Sequence, residues 1–290
     1  MPKRYRDIVG DGGSNIVGQV EAQQARLRER LARVRSIVAI VSGKGGVGKS
    51  SVTANLAACF ALDGWRVGVL DADLNGPSMA KMLGVRGGKL VVQDGAVEPP
   101  RNALGVKVMS MDLLLPSDDA PLTWEASTQD EAHTWRGTME ANALREFLAD
   151  TQWGELDLLL LDLPPGTDRL HTVASLVPML AGTVVVTIPS DVSQLVVRRS
   201  LTVAGRGRAP VLGLIENMAG LFPGPDAAAL ARDAGTPFLG RVPFDAELAR
   251  AADGGEALVA VAPEREASRA LREIAAAIRD ALAAAAPKNP

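Results

Sequence analysis

Nine residues constrain this chain more than any others: Ser42-Gly43-Lys44-Gly45-Gly46-Val47-Gly48-Lys49-Ser50. They follow an apolar run, Ile37 to Val41, and precede a helical pattern from Ser51 to Leu62, so the order is strand, glycine loop, helix. Gly43, Gly48, Lys49 and Ser50 fill every fixed position of the phosphate-loop pattern G-x-x-x-x-G-K-[ST], in the setting that pattern requires. Glycines there let backbone N–H groups converge on phosphate oxygens with no Cβ in the way, and the following helix adds its positive end. Gly43, Lys44, Gly45, Gly46, Val47, Gly48, Lys49, Ser50 and Ser51 are therefore read as a nucleotide cradle. Lys49 is expected to reach the β- and γ-phosphates, and the Ser50 hydroxyl to hold Mg²⁺.

Further apolar runs at Val67–Leu70, Leu156–Asp162, Thr183–Ile188, Val211–Glu216 and Phe238–Val242 alternate with helical patterns, among them Met139–Asp150 and Ser193–Ala204. That rhythm predicts one large α/β domain. Only 3% of the residues are aromatic, so the core should be aliphatic, as buried parallel strands usually are. The organisation expected is an extension and helix over 1–35, a phosphate-loop domain over 36–262 with a surface insertion at about 86–135 that holds short strand candidates at Leu90–Val92 and Val106–Met111, and a packing helix and tail over 263–290. The helix Gln19–Arg35 suits either packing or a dimer contact, and the last helix, Glu264–Ala284, packing on the sheet. A formal net charge of −3 gives no global attraction to nucleic acid or anionic lipid. One cysteine, Cys59, excludes an intrachain disulfide. No run has the length of a membrane span or the layout of a secretory signal. A cytoplasmic protein without nucleic-acid or membrane partners is expected.

The candidate chemistry lies at strand ends. Asp71 and Asp73 stand just past Leu70, on the edge where open α/β sheets bind ligands. Alternate residues of an extended chain point to opposite sides, so only one of the two should face a γ-phosphate. The competing reading makes one a cap for the helix after Pro77 and the other a surface charge. Asp162, ending the leucine run, is the expected second carboxylate for Mg²⁺, through a water. In Leu163-Pro164-Pro165-Gly166-Thr167, Gly166 can offer its N–H to the γ-phosphate, so the loop can detect that group. Arg136 beside Trp135 suits a phosphate or partner contact, or stacking on the ring. Lys44 is a second lysine that cannot easily fold back on its own nucleotide; it is either a solvated charge or a cation for another site.

The string Lys-Gly-Gly-Val-Gly-Lys-Ser resembles the deviant phosphate loop of the ParA, MinD and ArsA ATPases, which implies that Lys44 enters a neighbouring subunit's site in a homodimer. Together with Leu70–Ser78, Trp135–Met139, Trp153–Thr167 and Glu216-Asn217-Met218, it makes residues from about Val34 to Ala262 similar to the Mrp/ApbC family, MinD relatives that carry iron-sulfur clusters. The resemblance implies a doubly wound, mainly parallel sheet flanked by helices, and ATP with Mg²⁺. It also implies that Asp73 directs the attacking water, Asp71 supports the Mg²⁺ shell, Lys44 and Lys49 act on the transferring phosphate, and Asn217 with Pro243, Phe244 and Asp245 recognises adenine.

Three departures stand out: Asn75 where the family has tyrosine, Asp168-Arg169 where it has glycine-aspartate, and Ala219 to Pro225 where it has Cys-x-x-Cys. A cluster needs four ligands, mostly thiolates, and a dimer of this chain offers only two copies of Cys59, so no iron-sulfur cluster is expected on it. The reading is a slow, partner-regulated ATPase switch that serves an unnamed client in metallocluster or metal-enzyme maturation. Its alternatives are a positioning or partner-regulating ATPase of the ParA and MinD kind, and a nucleotide-binding adaptor.

Overall fold

The computed structural model describes residues 16–285 apart from 89, 94, 115–128, 167, 178 and 191–209. The helix expected at 193–204 lies outside these residues, as do the side chains of Trp135, Arg136, Asp168 and Arg169.

In chain order the strands are β1 (Ile37–Ser42), β2 (Val67–Asp71), β3 (Val91–Gln93), β4 (Ala96–Glu98), β5 (Lys107–Met109), β6 (Leu158–Asp162), β7 (Leu180–Thr187), β8 (Val211–Ala219) and β9 (Phe238–Pro243). Seven of them form one sheet in the order β5-β2-β6-β1-β7-β8-β9, with every neighbouring pair parallel. From β1 the chain runs outward to β2 and β5, returns to β6, and then crosses to β7 on the other side of β1. The glycine loop leaves β1 at that change of side, where doubly wound sheets bind their ligands.

The strands have two buried faces, and their residues divide between them with period two. Val38 and Ile40 of β1, Val67 and Val69 of β2, and Leu158 and Leu160 of β6 join one core. Ile37, Ala39, Val41, Leu70, Leu159 and Leu161 join the other. The first core is covered by the helix Lys49–Leu62 and by Glu266–Ala285, whose Leu271, Ile274, Ala275, Ile278 and Leu282 are all buried. The second is covered partly by the helix Ile16–Leu31, through Leu27 and Leu31, and by Gln129–Asp150, through Leu144, Phe147 and Leu148. The helices Ile16–Leu31 and Glu266–Ala285 thus both contribute to the sheet's own cores, the first with Leu27 and Leu31.

The stretch 86–135, read as a surface insertion, divides differently. Its β3 and β4 do form a separate antiparallel hairpin. Residues Lys107–Met109, however, are the edge strand of the main sheet, in parallel register with β2 through Gly68↔Lys107 and Leu70↔Met109. The short strand expected at Val106–Met111 is present; what the sequence did not show is its pairing with β2. The helix that follows begins at Gln129, ten residues before the expected Met139.

Candidate nucleotide site

Register assembles the site. Ile40 of β1 lies opposite Asp162 of β6, and Asp162 lies opposite Asp71 of β2, so the glycine loop and both carboxylates share one edge. Gly46 and Gly48 adopt φ of 77° and 75°, values that exclude most side chains. A Cβ on Gly48 would also lie 2.3 Å from Asn217 Nδ2. This glycine is needed both for the turn into the helix and for the approach of β8.

Asp162 is fully buried and surrounded by donors. Lys49 Nζ is 2.6 Å from its Oδ2, and the Ser50 hydroxyl donates to the same oxygen at 2.7 Å. Thr53 Oγ1 lies 2.6 Å from Oδ1. Lys49, Ser50 and Asp162, read from the sequence as phosphate and Mg²⁺ residues, stand together here; Thr53 was missed. Its signal was available: Thr53 stands one turn after Lys49, on the face that meets β6. A serine hydroxyl and a carboxylate beside a phosphate loop are hard oxygen donors, the kind Mg²⁺ takes while keeping several waters. The residues present fit that ion.

Asp71 and Asp73 divide their work unequally. Asp73 lines the phosphate cavity, about 260 Å³, together with Lys44, Ser50, Ser78 and Pro165. Its Oδ1 accepts the Gly76 N–H at 3.2 Å, shaping the turn. Asp71 is 1% exposed, and its carboxylate accepts from the N–H groups of Asp73, Ser78 and Met79 and from the Ser110 hydroxyl. Burial, and then the charge of Asp162, push its carboxyl up to about 7, against the pull of those hydrogen bonds. The Asp71 carboxylate thus caps the start of the helix Met79–Met82, and it does not line the phosphate cavity where the Mg²⁺ shell was expected. That is the competing reading of the sequence, realised for one of the two aspartates.

Gly166 is a second correction. Its N–H donates to the Ser42 carbonyl at 2.9 Å, so the group expected to face a γ-phosphate is instead used to bind this loop to β1. Pro165 is the loop residue that lines the phosphate cavity.

A second cavity of about 340 Å³ adjoins the first, and both are lined by Gly48, Ser51 and Met82. Asn217, Pro243, Phe244 and Asp245, the residues that the resemblance implies for adenine, all line it. Asn217 is 4% exposed and donates Nδ2–H to the Val47 carbonyl at 2.9 Å. Its amide oxygen remains to accept an exocyclic amino group. Phe244 is 50% exposed and can cover an aromatic base. Asp245 is committed elsewhere: it accepts the Glu247 N–H as a helix cap and two guanidinium hydrogen bonds from Arg265, which hold its carboxyl below the usual range. It contributes to the wall of the cavity, with its charge already paired.

Cys59 lies buried in the helix Lys49–Leu62, and burial pushes its thiol up to about 12. Among the described residues no three His, Cys, Asp or Glu side chains group as a metal site. One buried cysteine per chain does not supply the thiolate set of an iron-sulfur cluster.

A family model described as a ParA-type NUBPL iron-transfer P-loop NTPase matches residues 33–279. The chain belongs to that family. As a ParA-type NTPase it is a nucleotide-binding protein whose family chemistry is nucleotide hydrolysis. It is 39% identical over 269 residues to the iron-sulfur cluster carrier protein of Saccharolobus solfataricus, covering 89% of this chain and 87% of that one. With the protein of the same description from Methanocaldococcus jannaschii it shares 40% over 249 residues, 82% of each chain. Among solved structures, the nucleotide-binding protein in complex with ADP from Archaeoglobus fulgidus superposes with a TM-score of 0.67 at 36% identity, over 81% of this chain and 92% of that one. The cell division ATPase MinD of Pyrococcus furiosus, at 22% identity and a TM-score of 0.63 over 85% and 99%, shares the fold. Among the described residues of this NTPase no helix is long and apolar enough to cross a membrane.

Proposed function

We propose that this NTPase is an ATP-hydrolysing switch that works as a homodimer, with Lys44 of each copy completing the other's site. The observation that carries the reading is the contrast between its two loop lysines. Lys49 is 6% exposed and turned inward onto Asp162. Lys44 is half-buried and lines the phosphate cavity, as Asp73 does, and among the described residues its ammonium has no ion-pair partner.

In this reading Lys49 exchanges Asp162 for the β- and γ-phosphate oxygens as nucleotide enters. Ser50 and Asp162 are then left to hold Mg²⁺, which neutralises charge on the phosphates when bound. Asp73 orients the attacking water, and a lysine from the second copy meets the charge that develops in transfer. Asn217 and Phe244 select and cover adenine.

Relatives described as iron-sulfur cluster carriers support a role in metallocluster or metal-enzyme maturation. Because this chain lacks the thiolates, the metal it serves is held by the client protein.

The test is ATPase assay of Lys44→Ala and Asp73→Ala, with sedimentation in a non-hydrolysable ATP analogue. A lysine acting as an arginine finger does is worth about 10³ to 10⁵ in turnover, or about 4 to 7 kcal/mol. Wild-type turnover in both variants, with nucleotide binding intact, removes the mechanism. A monomer at all concentrations with the analogue removes the dimer. Anaerobic reconstitution with iron and sulfide is expected to leave the protein colourless.

A further inference from the structure

We infer that Ser110 is a positioning residue for hydrolysis, holding the Asp73 loop in place through Asp71; the inference rests on the hydrolytic reading above. Ser110 directly follows β5. Since Leu70 of β2 pairs with Met109, the parallel register sets Ser110 beside Asp71. Its hydroxyl is fully buried and lies 3.0 Å from Asp71 Oδ2. The Asp112 N–H donates to the same hydroxyl at 3.3 Å. One lone pair is thereby occupied from the β5 side, and the proton is directed at the carboxylate.

Asp71 in turn holds both ends of the loop. Its Oδ1 accepts the Asp73 N–H at 3.2 Å, and its Oδ2 accepts those of Ser78 at 2.8 Å and Met79 at 3.0 Å. Ser110 is the side-chain donor among these four and comes from outside the loop, so it references the loop to the sheet edge. Without it the carboxylate can turn about its Cβ–Cγ bond and take the Asp73 amide with it. Neither Asp71 nor Ser110 lines the phosphate or the base cavity, so nucleotide affinity should not depend on them directly. Small displacements of a positioning group cost up to about 10²-fold in rate.

The experiment compares kcat, nucleotide Kd and amide hydrogen exchange in wild type, Ser110→Ala, Ser110→Thr and Asp73→Ala. For Ser110→Ala we expect kcat to fall by about 10- to 100-fold, with the Kd for ADP within about twofold. The amides of Asp73, Ser78 and Met79 should exchange faster, while those of Gly45 to Lys49 do not. Ser110→Thr, which keeps the hydroxyl, should restore most of the turnover. A wild-type kcat in Ser110→Ala, or a parallel loss of kcat and affinity, overturns the inference. If Ser110→Ala does not fold, Ser110→Cys keeps the volume with a weaker donor and should show the same split at smaller amplitude; wild-type turnover there overturns the inference equally. Failure of the parent reading is separable, because it appears as undiminished turnover in Asp73→Ala.

Discussion

Lys49 Nζ lies 2.6 Å from Asp162 Oδ2, with the lysine 6% exposed and the aspartate fully buried. The two charges come from different parts of the sheet, the start of a helix after β1 and the end of β6. An incoming triphosphate must therefore compete with an internal ion pair for the lysine.

Removing one partner of such a pair strands the other charge. Lys49→Ala should lower the stability of the nucleotide-free protein by about 3 kcal/mol, even though the Ser50 and Thr53 hydroxyls still face Asp162. The urea midpoint without nucleotide checks this. An unchanged midpoint would mean that the two hydroxyls alone satisfy the carboxylate.

Two glycines of the loop should differ in what they tolerate. Both have positive φ, but a Cβ on Gly46 meets nothing within 4 Å, whereas one on Gly48 meets Asn217. Gly46→Ala should cost only the backbone strain, about 1 kcal/mol. Gly48→Ala should cost more and also weaken ADP binding. Isothermal titration and urea unfolding of the pair read both effects; equal costs would refute the close approach of β8.

Asn217→Leu keeps the side chain's size while removing its amide. The Val47 carbonyl loses its donor, and the base cavity loses the oxygen suited to an amino group. ATP is expected to lose about 1 to 3 kcal/mol of its advantage over GTP, the usual cost of an unpaired buried polar group. Competition of ATP and GTP against a fluorescent ADP measures it, and an unaltered ratio assigns base recognition elsewhere.

Asp245 provides a test by pH. Hydrogen bonds from Arg265 lower its carboxyl from the ordinary 3.8, so the folded state holds the ionised form more tightly than the unfolded chain does. That stabilisation is fully present above the ordinary value and is lost as pH falls through the lowered one. The stability difference between wild type and Asp245→Asn should be constant from about pH 8 to pH 5 and shrink in more acid solution. Urea midpoints across that range decide it; a difference that grows on acidification contradicts the assignment.

Where the sequence was legible, the cause was local. Leucines at 158–161 mark a strand buried on both faces, and Lys49, Ser50 and Asn217 carry donor and acceptor patterns that survive in the folded site. Where it misled, long-range pairing had the last word. Residues 106–111 read as a short strand within a surface excursion until β2 accepts 107–109 as its neighbour. Gly166 has the free N–H of a phosphate sensor only until the Ser42 carbonyl, more than a hundred residues earlier, takes it. Thr53 had a visible helical spacing, but nothing local announced the carboxylate it would meet.

By itself the sequence determined the strand-loop-helix cradle, the parallel sheet and the set of polar residues at its edge, because glycine φ preference, apolar period and motif spacing act over a few residues. Only the tertiary structure decided which aspartate faces the phosphate cavity and which is spent on backbone amides. The reason is physical: a carboxylate at a strand end turns toward whichever donors the neighbouring strands deliver, and β5 delivers Ser110 to Asp71.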